Sequence, residues 1–449
     1  MTWLTVLLLL VVAAALVLRW RRPAWFWLTF GVAFAMVRLL VRYGTVMDAC
    51  NLTVPASRWR LAVARWLKRE TPRQRVPRIL RIRPTRTGIR LRIKMQPGQD
   101  AFEFSAAADR LRHSFAVHQV TTREVKPGVV EVAMTGYDIL KHVQMPTKVD
   151  RGQLRVPVAL CEDGSVHYRD YRKGAHSLNL GATESGKSVY ARQVVKELAS
   201  QRVALVGIDC KGVELAPMAR RFSALVDNPD DAAELLDALL VRMQVIYQII
   251  RTEQRLSADI PDAEITADIW GLPEHLRPEP IVITVDEVAE LALFANRAEE
   301  KRRDRIITAL VRIAQLGRAA GMYLDIYGQR FGSELGSGIT MLRAQLTDRT
   351  SHRVNDESSA KMAFGDISAH AVFATTQISK ERPGTAVVGD STGGWARIRT
   401  PHTSLRAAVN ACNRHEDLTP DIPELARFRP RFAPMAPASV PMVKAPVKV

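Results

Sequence analysis

The chain of 449 residues is longer than one ordinary domain, so two or three folding units with sizeable cores are expected. Its formal net charge of +18 favours a polyanionic partner, nucleic acid or an anionic membrane face, although a GC-rich genome that favours arginine would give the same total. The cysteines form no C-x-x-C pair, which argues against zinc and a disulfide framework and suits a reducing cytosol. They are Cys50, Cys161, Cys210 and Cys412.

The first 44 residues hold two apolar runs, 3–18 and 24–41, separated by an arginine-rich turn at 19–22. Each run approaches the ~20 residues of a spanning helix, and Arg38 can extend towards the polar surface. We therefore predict two transmembrane segments within residues 1–44. A cleaved signal peptide fits less well, because no basic residue precedes the first run. A hairpin with both termini in the cytosol would place the arginine-rich turn outside, against the positive-inside tendency.

Residues 45–75 read as a polybasic juxtamembrane segment. Positions 58–94 carry fourteen basic residues and a single acidic one. Trp59, Val63 and Trp66 recur at helical spacing, which predicts an amphipathic helix on anionic lipid headgroups. DNA contact is the competing use of the same charge.

Residues 76–145 predict a small α+β domain. ILRIRP and GIRLRIKM alternate apolar and basic residues as half-exposed strands do, AAADRLRHSF has helical spacing, and GVVEVAM is again strand-like. The segment shows no catalytic constellation, so we interpret it as a spacer or ring-forming domain.

The stretch LNLGATESGKSVY at 178–190 contains the phosphate-loop pattern G-x-x-x-x-G-K-[ST], between a strand-like and a helix-like segment. In this motif backbone N–H groups cradle phosphates, Lys187 reaches the β and γ phosphates, and Ser188 binds magnesium. ATP and Mg²⁺ are therefore the predicted cofactors, and the carboxylate of Glu184 has to point away from the phosphates. The predicted nucleotide-binding residues are Gly181, Ala182, Thr183, Glu184, Ser185, Gly186, Lys187 and Ser188.

PIVITVDEVAEL predicts a buried parallel strand with two acidic residues at its carboxyl end, the edge where ligands bind in open α/β sheets. Asp286 would hold the magnesium ion, and Glu287 would act as general base on the attacking water. The predicted metal ligands are thus Ser188 and Asp286.

LGRAAGMYLDIYGQR predicts the next strand, from Tyr323 to Tyr327. Gln329, just beyond it, would lie beside the nucleotide and sense the γ phosphate. Arg318 precedes the strand and would lie on the other side of the subunit, where it could serve a neighbour as an arginine finger. A solvated arginine that caps helix carbonyls is the alternative. The predicted catalytic residues are Lys187, Asp286, Glu287, Arg318 and Gln329.

Five segments in order resemble the FtsK/SpoIIIE family of membrane-anchored DNA translocases, and more narrowly the TraB-type plasmid transfer proteins of actinomycetes. They are GATESGKS, IDCKGVEL, ITVDEVAEL, QLGRAAGMYLDIYGQR and LRAQLTDRTSHRVNDESSAKMAFGD. The resemblance implies a RecA-like motor over 146–400 that forms a hexameric ring around double-stranded DNA, with Arg349 and Arg353 in the family's basic motif.

The sequence also departs from the family pattern. Phe331 replaces a usual proline, Asp325 interrupts an apolar strand, and Glu184 replaces a usual glycine, so nucleotide affinity and coupling are in doubt. After residue 400 we predict a short helix, LRAAVNACN, and a disordered Pro/Ala-rich tail from about Pro420. The tail is too short for the winged-helix domain of family members, so the direction of transport or the choice of DNA site could come from an accessory transfer protein or be absent.

Together these patterns predict an α/β protein: a RecA-like P-loop ATPase domain, a small α+β N-terminal domain and N-terminal transmembrane helices. The predicted function is a homohexameric, ATP-driven translocase of double-stranded DNA in the cell membrane, with its ATPase in the cytoplasm, that moves plasmid or integrative-element DNA between cells. A septal chromosome-segregation pump, a type VII-like protein secretion ATPase and a nucleotide-bound membrane scaffold are the alternatives. The short linker argues against the septal pump, and the single phosphate loop argues against the secretion ATPase. The retained Glu287 argues against the scaffold.

Overall fold

The computed structural model describes residues 3–56, 66–67, 74–254 and 266–431. Most of the predicted polybasic helix therefore lies outside the described residues, as does the tail beyond Arg431. The chain divides into an N-terminal unit, Met1–Gln144 with Leu160–Ser165, and a C-terminal unit, Met145–Ala159 with the chain from Val166 onward.

Both apolar runs at the N-terminus form helices, α1 (Trp3–Arg21) and α2 (Pro23–Ala49), with a π-helical turn at Trp27–Gly31 inside α2. Among the helices whose side chains are all described, α2 is the one whose length and composition would allow it to cross a membrane. Three side chains of α1 lie outside the described set. This criterion concerns length and composition alone, and a helix that packs in a protein core meets it as well.

An antiparallel sheet of order β1-β2-β4-β3 forms the rest of the N-terminal unit, with two short helices packed on it. Ile89, Leu91 and Ile93 of β2 are buried, and the arginines between them are exposed, because successive strand residues point to opposite faces. The elements are β1 (Arg78–Pro84), β2 (Gly88–Lys94), α3 (Ala101–Ala106), α4 (Ala108–Phe115), β3 (Gln119–Lys126) and β4 (Val129–Thr135).

The C-terminal unit is built on a ten-stranded sheet of order β6-β5-β14-β13-β12-β7-β11-β10-β8-β9. Strands β12, β7, β11, β10, β8 and β9 run parallel, and β13 and β14 continue antiparallel. The strands are β5 (Arg155–Cys161), β6 (Val166–Asp170), β7 (Ser177–Leu180), β8 (Ala204–Ile208), β9 (Phe222–Val226), β10 (Ile281–Val285), β11 (Met322–Gly328), β12 (Asp348–His352), β13 (Thr385–Gly389) and β14 (Trp395–Arg399).

Helices cover this sheet, so the central strands are buried on both faces. Every residue of β8 and β10 is buried, which explains their uninterrupted apolar sequences. The predicted α/β class is confirmed. The helices are α5 (Lys187–Leu198), α6 (Pro229–Gln254), α7 (Val288–Ala292), α8 (Arg297–Leu316), α9 (Ile339–Gln345), α10 (Glu357–Phe364), α11 (Ala369–Thr376) and α12 (Leu405–Arg414).

Asp325, the acidic residue within the apolar strand β11, is buried in a polar cluster. Arg169 of β6 donates to its Oδ1 from Nε at 3.0 Å and from Nη2 at 2.9 Å. Ser177 Oγ donates to the same oxygen at 2.6 Å, and Tyr171 donates to Oδ2. Asp348 Oδ2 accepts from Arg169 Nη1 at 3.0 Å. The charge that the sequence marks as an interruption is thus paired with a buried guanidinium on an edge strand.

The chain after β14 differs from expectation. The predicted short helix is α12, but the segment from Pro420 to Arg431, where the sequence predicts the start of a disordered tail, packs onto the C-terminal unit. Leu425 is fully buried in a 3₁₀ helix, Pro423–Phe428, and Ser223 Oγ donates to the Pro420 carbonyl at 2.8 Å. Isolated apolar residues among prolines gave little periodic signal, although Leu425 and Ile422 fill a gap in the core.

Candidate nucleotide-binding and hydrolysis site

The loop GATESGKS connects β7 to α5 at the carboxyl edge of the parallel sheet. Gly186 has φ +101°, and a Cβ there would approach the backbone nitrogen of Gly384 to 2.3 Å. That nitrogen donates to the carbonyl of Ser185 at 2.8 Å, so the segment at 384 braces the loop from outside. Only glycine combines this left-handed backbone with so close an approach.

Glu184 has φ +62° and is exposed, so it adopts the left-handed backbone at a position where the family usually has glycine. Its carboxylate is free to extend into solvent, as the sequence requires for a carboxylate beside phosphates. A non-glycine residue in this region costs roughly 1–2 kcal/mol. The departure from the family pattern therefore introduces local strain into the loop.

Replacing Glu184 with glycine should raise the free energy of unfolding by up to about 1 kcal/mol, because the relief of strain exceeds the entropic cost of glycine. Glu184→Gln keeps the strain and removes only the charge. Both variants should bind ATP more tightly than the parent, and only glycine should raise the urea midpoint. A lower midpoint for Glu184→Gly would contradict the argument from backbone strain.

Lys187 and Glu287 face each other across the cleft. The ammonium group of Lys187 donates to Glu287 Oε2 at 3.0 Å, and the backbone N–H of Gln329 donates to Oε1 at 3.3 Å. Both side chains are largely buried. The carboxylate is thus held by the phosphate loop on one side and by the end of β11 on the other. A group so placed can orient a water and respond to a movement of either element.

Asp286 lies at the end of β10, buried at the floor of the same cleft. Burial, and then the charge of Asp209, raise the pKa of this carboxyl to about 6, and Lys187 opposes the shift. A divalent cation would offset this cost, since it favours the ionised form. Raised pKa values of this kind concentrate at functional sites.

The cleft has the volume of a small-molecule site and is lined by polar groups that can bind a nucleotide with magnesium. Its volume is about 360 Å³, and residues 181–189 line it together with Asp286, Glu287 and Gln329. The buried Oγ of Ser185 has no hydrogen-bond partner within the described chain, so the loop holds a polar group available to a ligand. The hydroxyl of Ser188 and the carboxylate of Asp286 are suitable oxygen ligands for Mg²⁺, which also keeps waters and phosphate oxygens.

Asp209, at the end of β8, organises the neighbouring loop and was missed as a site residue. Its carboxylate accepts from the backbone N–H groups of Gly212, Glu214 and Leu215 at 2.8–3.1 Å. The segment IDCKGVEL was recognised only as a family match. Its aspartate after an apolar strand was the available signal, because ligands gather at that edge of a parallel sheet. The loop that it shapes brings Lys211 to the cleft.

The two arginines of the basic motif have different surroundings. Arg349 is buried, and its Nη1 donates to Asp366 Oδ1 at 2.7 Å and to a backbone carbonyl, so it stabilises the fold. Arg353 is half-buried and contacts the phosphate loop, where its Nη2 donates to the carbonyl of Thr183 at 3.0 Å. Of the pair, Arg353 is therefore the one that can affect the nucleotide.

Arg318 lies at the opposite edge of the sheet from the cleft. It is exposed and precedes β11, whereas Gln329 follows that strand. A strand of seven residues spans about 20 Å. The structure thus brings together Lys187, Asp286, Glu287 and Gln329 but not Arg318.

The comparisons with known proteins agree with this geometry. Residues 13–136 match the family described as the actinomycete conjugal transfer protein N-terminal domain, and residues 139–333 match the FtsK/SpoIIIE family. The transfer protein TraSA of Streptomyces ambofaciens is 68% identical over 409 residues, which cover 91% of this chain and 99% of the relative. The DNA translocase FtsK of Mycobacterium leprae is 27% identical over 274 residues, covering 56% of this chain and 32% of that protein.

A solved structure extends the match to the fold. The conjugation coupling protein TcpA of pCW3, in its monomer form with ATPγS, superposes with a TM-score of 0.55 at 17% identity. The match covers 84% of this chain and 98% of TcpA. At 17% identity the structural match shows a shared fold, whereas the sequence matches show membership of a family. The chain is therefore an ATPase of the FtsK/SpoIIIE family and belongs, with TraSA, to the actinomycete conjugal transfer proteins.

Proposed function

We propose that the chain is a membrane-anchored, ATP-driven translocase that moves double-stranded DNA of a plasmid or integrative element between cells. The observation that carries the proposal is the site at the carboxyl edge of the sheet, where Lys187, Asp286 and Glu287 converge on one cleft. The cargo is inferred from the relatives: one is a DNA translocase and another a transfer protein of nearly the same length. The net charge of +18 is of the sign that DNA requires.

The residues divide the work of hydrolysis as follows. The backbone of the phosphate loop and Lys187 would hold the phosphates, and Ser188 and Asp286 would hold magnesium, which neutralises developing charge when bound. Glu287 would orient the water and accept its proton. Gln329, joined to Glu287 through its backbone N–H, would sense the state of the γ phosphate and relay it into β11.

A ring of subunits, six by analogy with the family, would complete this site. Arg318 lies about 20 Å from the cleft of its own subunit, across the length of β11. A neighbour in a head-to-tail ring presents the opposite edge of its sheet, so Arg318 can act there as an arginine finger. An assembly of this kind closes around its substrate when the rotation between subunits closes.

Arg318→Ala should lower the ATPase rate about 10³-fold or more, the usual contribution of an arginine finger, while nucleotide binding is retained. Arg312→Ala, on the exposed surface of α8, is the matched control. Mixing Arg318→Ala with Glu287→Gln subunits should restore some activity, because some interfaces then pair an intact Glu287 with an intact Arg318. Absence of any recovery in a demonstrated mixed assembly would contradict action between subunits.

DNA-stimulated turnover tests the proposal as a whole. The ATPase rate of the purified full chain in detergent is measured with and without double-stranded DNA, and Glu287→Gln is the control for contaminating activity. We expect stimulation that disappears in the variant. Turnover that depends on Glu287 but ignores DNA would favour protein transport, and no turnover would favour a nucleotide-bound scaffold. Transfer assays in cells then separate conjugation from chromosome segregation.

A further inference from the structure

Helix α2 packs against the small sheet of the N-terminal unit along nearly its whole length. The indole of Trp27 donates to the carbonyl of Thr85 at 3.2 Å, and near the other end the hydroxyl of Tyr43 donates to the carbonyl of Pro77 at 2.9 Å. One stripe of the helix is buried in the core beside the sheet. It comprises Trp27, Gly31, Leu39, Tyr43, Val46 and Met47.

The docking is specific in shape. A Cβ on Gly136 would lie 2.2 Å from the Trp27 ring, so the indole occupies the space that this glycine leaves free. Leu39 and Met47 are each 1% exposed and pack with β2 and β4 residues in one core. From Trp27 to Met47 the docked stripe extends about 30 Å, the full thickness of a hydrocarbon core.

A helix docked in this way cannot be surrounded by lipid. Its partner is a sheet with exposed arginines such as Arg81 and Arg83, and such a domain cannot enter hydrocarbon. The outer side of α2 nevertheless exposes large apolar residues. They are Trp25, Leu28, Phe34, Val37, Leu40 and Val41. A helix with one protein-covered side and one exposed apolar side suits the interfacial plane of a membrane.

Helix α1 has the opposite character. The six consecutive residues 9–14 are all exposed and apolar, and because helix residues turn by 100°, they cover every side of the helix. Its 19 residues extend about 28 Å, and the first charge is Arg19. Trp3 and Trp20 are exposed at its two ends, where spanning helices carry interfacial aromatic residues. A helix that is apolar all round belongs in a protein core or in a bilayer.

We propose that the chain crosses the bilayer once, through α1, and that α2 lies on the cytosolic surface with its outer apolar side in the headgroup region. This topology places Arg19, Arg21 and Arg22 in the cytosol, as the positive-inside tendency requires, whereas a two-span hairpin places them outside. The residue-3 end of α1 then faces outward. The inference rests on the membrane attachment in the proposed function and specifies how that attachment is made.

Site-directed labelling tests this topology in the full chain. Trp3→Cys and Ala24→Cys are expressed separately and treated with a membrane-impermeant maleimide, in intact cells and in inverted vesicles. The parent chain is the background control, because its four cysteines all follow α2. We expect Trp3→Cys to label in intact cells at least tenfold above the parent, and Ala24→Cys to label in inverted vesicles alone.

The opposite pattern, with Ala24→Cys labelled in intact cells, would establish the hairpin and overturn the single crossing while leaving membrane anchoring intact. If neither cysteine labels in intact cells, the crossing is also refuted. Extraction of the chain by alkaline carbonate would then show that the anchoring itself fails, and resistance to extraction would show that it survives.

The position of α2 has a separate readout. A fluorophore on Phe34→Cys, in vesicles of stated phosphatidylglycerol content, should be quenched more by shallow nitroxide lipids than by deep ones, since interfacial helices lie about 5–10 Å into the headgroup boundary. Stronger quenching by the deep probe would place α2 in the hydrocarbon core and overturn the proposal. Absence of quenching by either probe would overturn the placement of α2 on the membrane surface.

Discussion

Replacing Glu287 with glutamine is expected to lower kcat for ATP hydrolysis at least about 100-fold, within the usual range for loss of a general base. The substitution keeps the shape of the side chain and its hydrogen bond from Gln329, but it removes the charge that pairs with Lys187 at 3.0 Å. The freed ammonium group then favours phosphate, so ATP should bind more tightly. Steady-state turnover and a fluorescent-nucleotide titration measure the two effects.

Glu290→Gln is the matched control, since the same change is made one helical turn along, at the half-buried Glu290 of α7. It should leave kcat within about threefold of the parent, as expected where no proton transfer is lost. If Glu287→Gln retained kcat while Glu290→Gln lost it, the base would have to be reassigned to the second carboxylate. A weaker affinity for ATP in Glu287→Gln would contradict the competition for Lys187.

Arg169→Met should destabilise the C-terminal unit by about 3–5 kcal/mol, the usual effect of removing one partner from a buried ion pair. Arg169 and Asp325 are each 2% exposed at the side chain, so the remaining carboxylate could not be solvated. Asp325→Leu should have a similar effect, because it leaves the buried guanidinium of Arg169 without this carboxylate. The double replacement should lose clearly less than the sum, because neither member of the Arg169–Asp325 pair is then left alone. Asp348 loses Arg169 equally in Arg169→Met and in the double replacement, so it does not affect the comparison. Equilibrium urea unfolding of all four proteins measures this coupling.

The exposed pair Arg305–Asp237 provides the comparison, with side chains 52% and 40% exposed. Arg305→Met should cost at most about 1 kcal/mol, because water solvates the remaining carboxylate. Equal losses at positions 169 and 305 would refute the argument from burial. Additive losses in the Arg169/Asp325 double variant would show that the two residues act independently despite their contact.

Local patterns along the sequence predicted which residues lie together in the cleft. The strand, loop and helix around Lys187 and the strand that ends at Asp286 could be predicted from the sequence. Each is a continuous segment, and its apolar residues recur with the period of a helix or form the run of a buried strand. Gln329 followed from the next strand, and all of these residues line one cleft. The catalytic roles of the individual residues stay predictions.

The contacts that the sequence did not predict join residues that are far apart in the chain. The phosphate loop is braced at Gly186 by Gly384, and Asp325 is neutralised by Arg169 from an edge strand. Arg349 and Arg353 are four positions apart in one motif, yet one is buried beside Asp366 and the other reaches the loop. The order of strands in the sheet decides such contacts, and spacing along the sequence does not contain it.

The N-terminal helices also separate what the sequence determines from what the tertiary structure decides. The sequence by itself determined that α1 and α2 are helical and apolar, because composition and length suffice for that. Only the tertiary structure decided that one side of α2 is occupied by the small sheet, through Trp27, Leu39 and Met47. Hydropathy sums over all sides of a helix, whereas the surroundings of a helix act on each side separately.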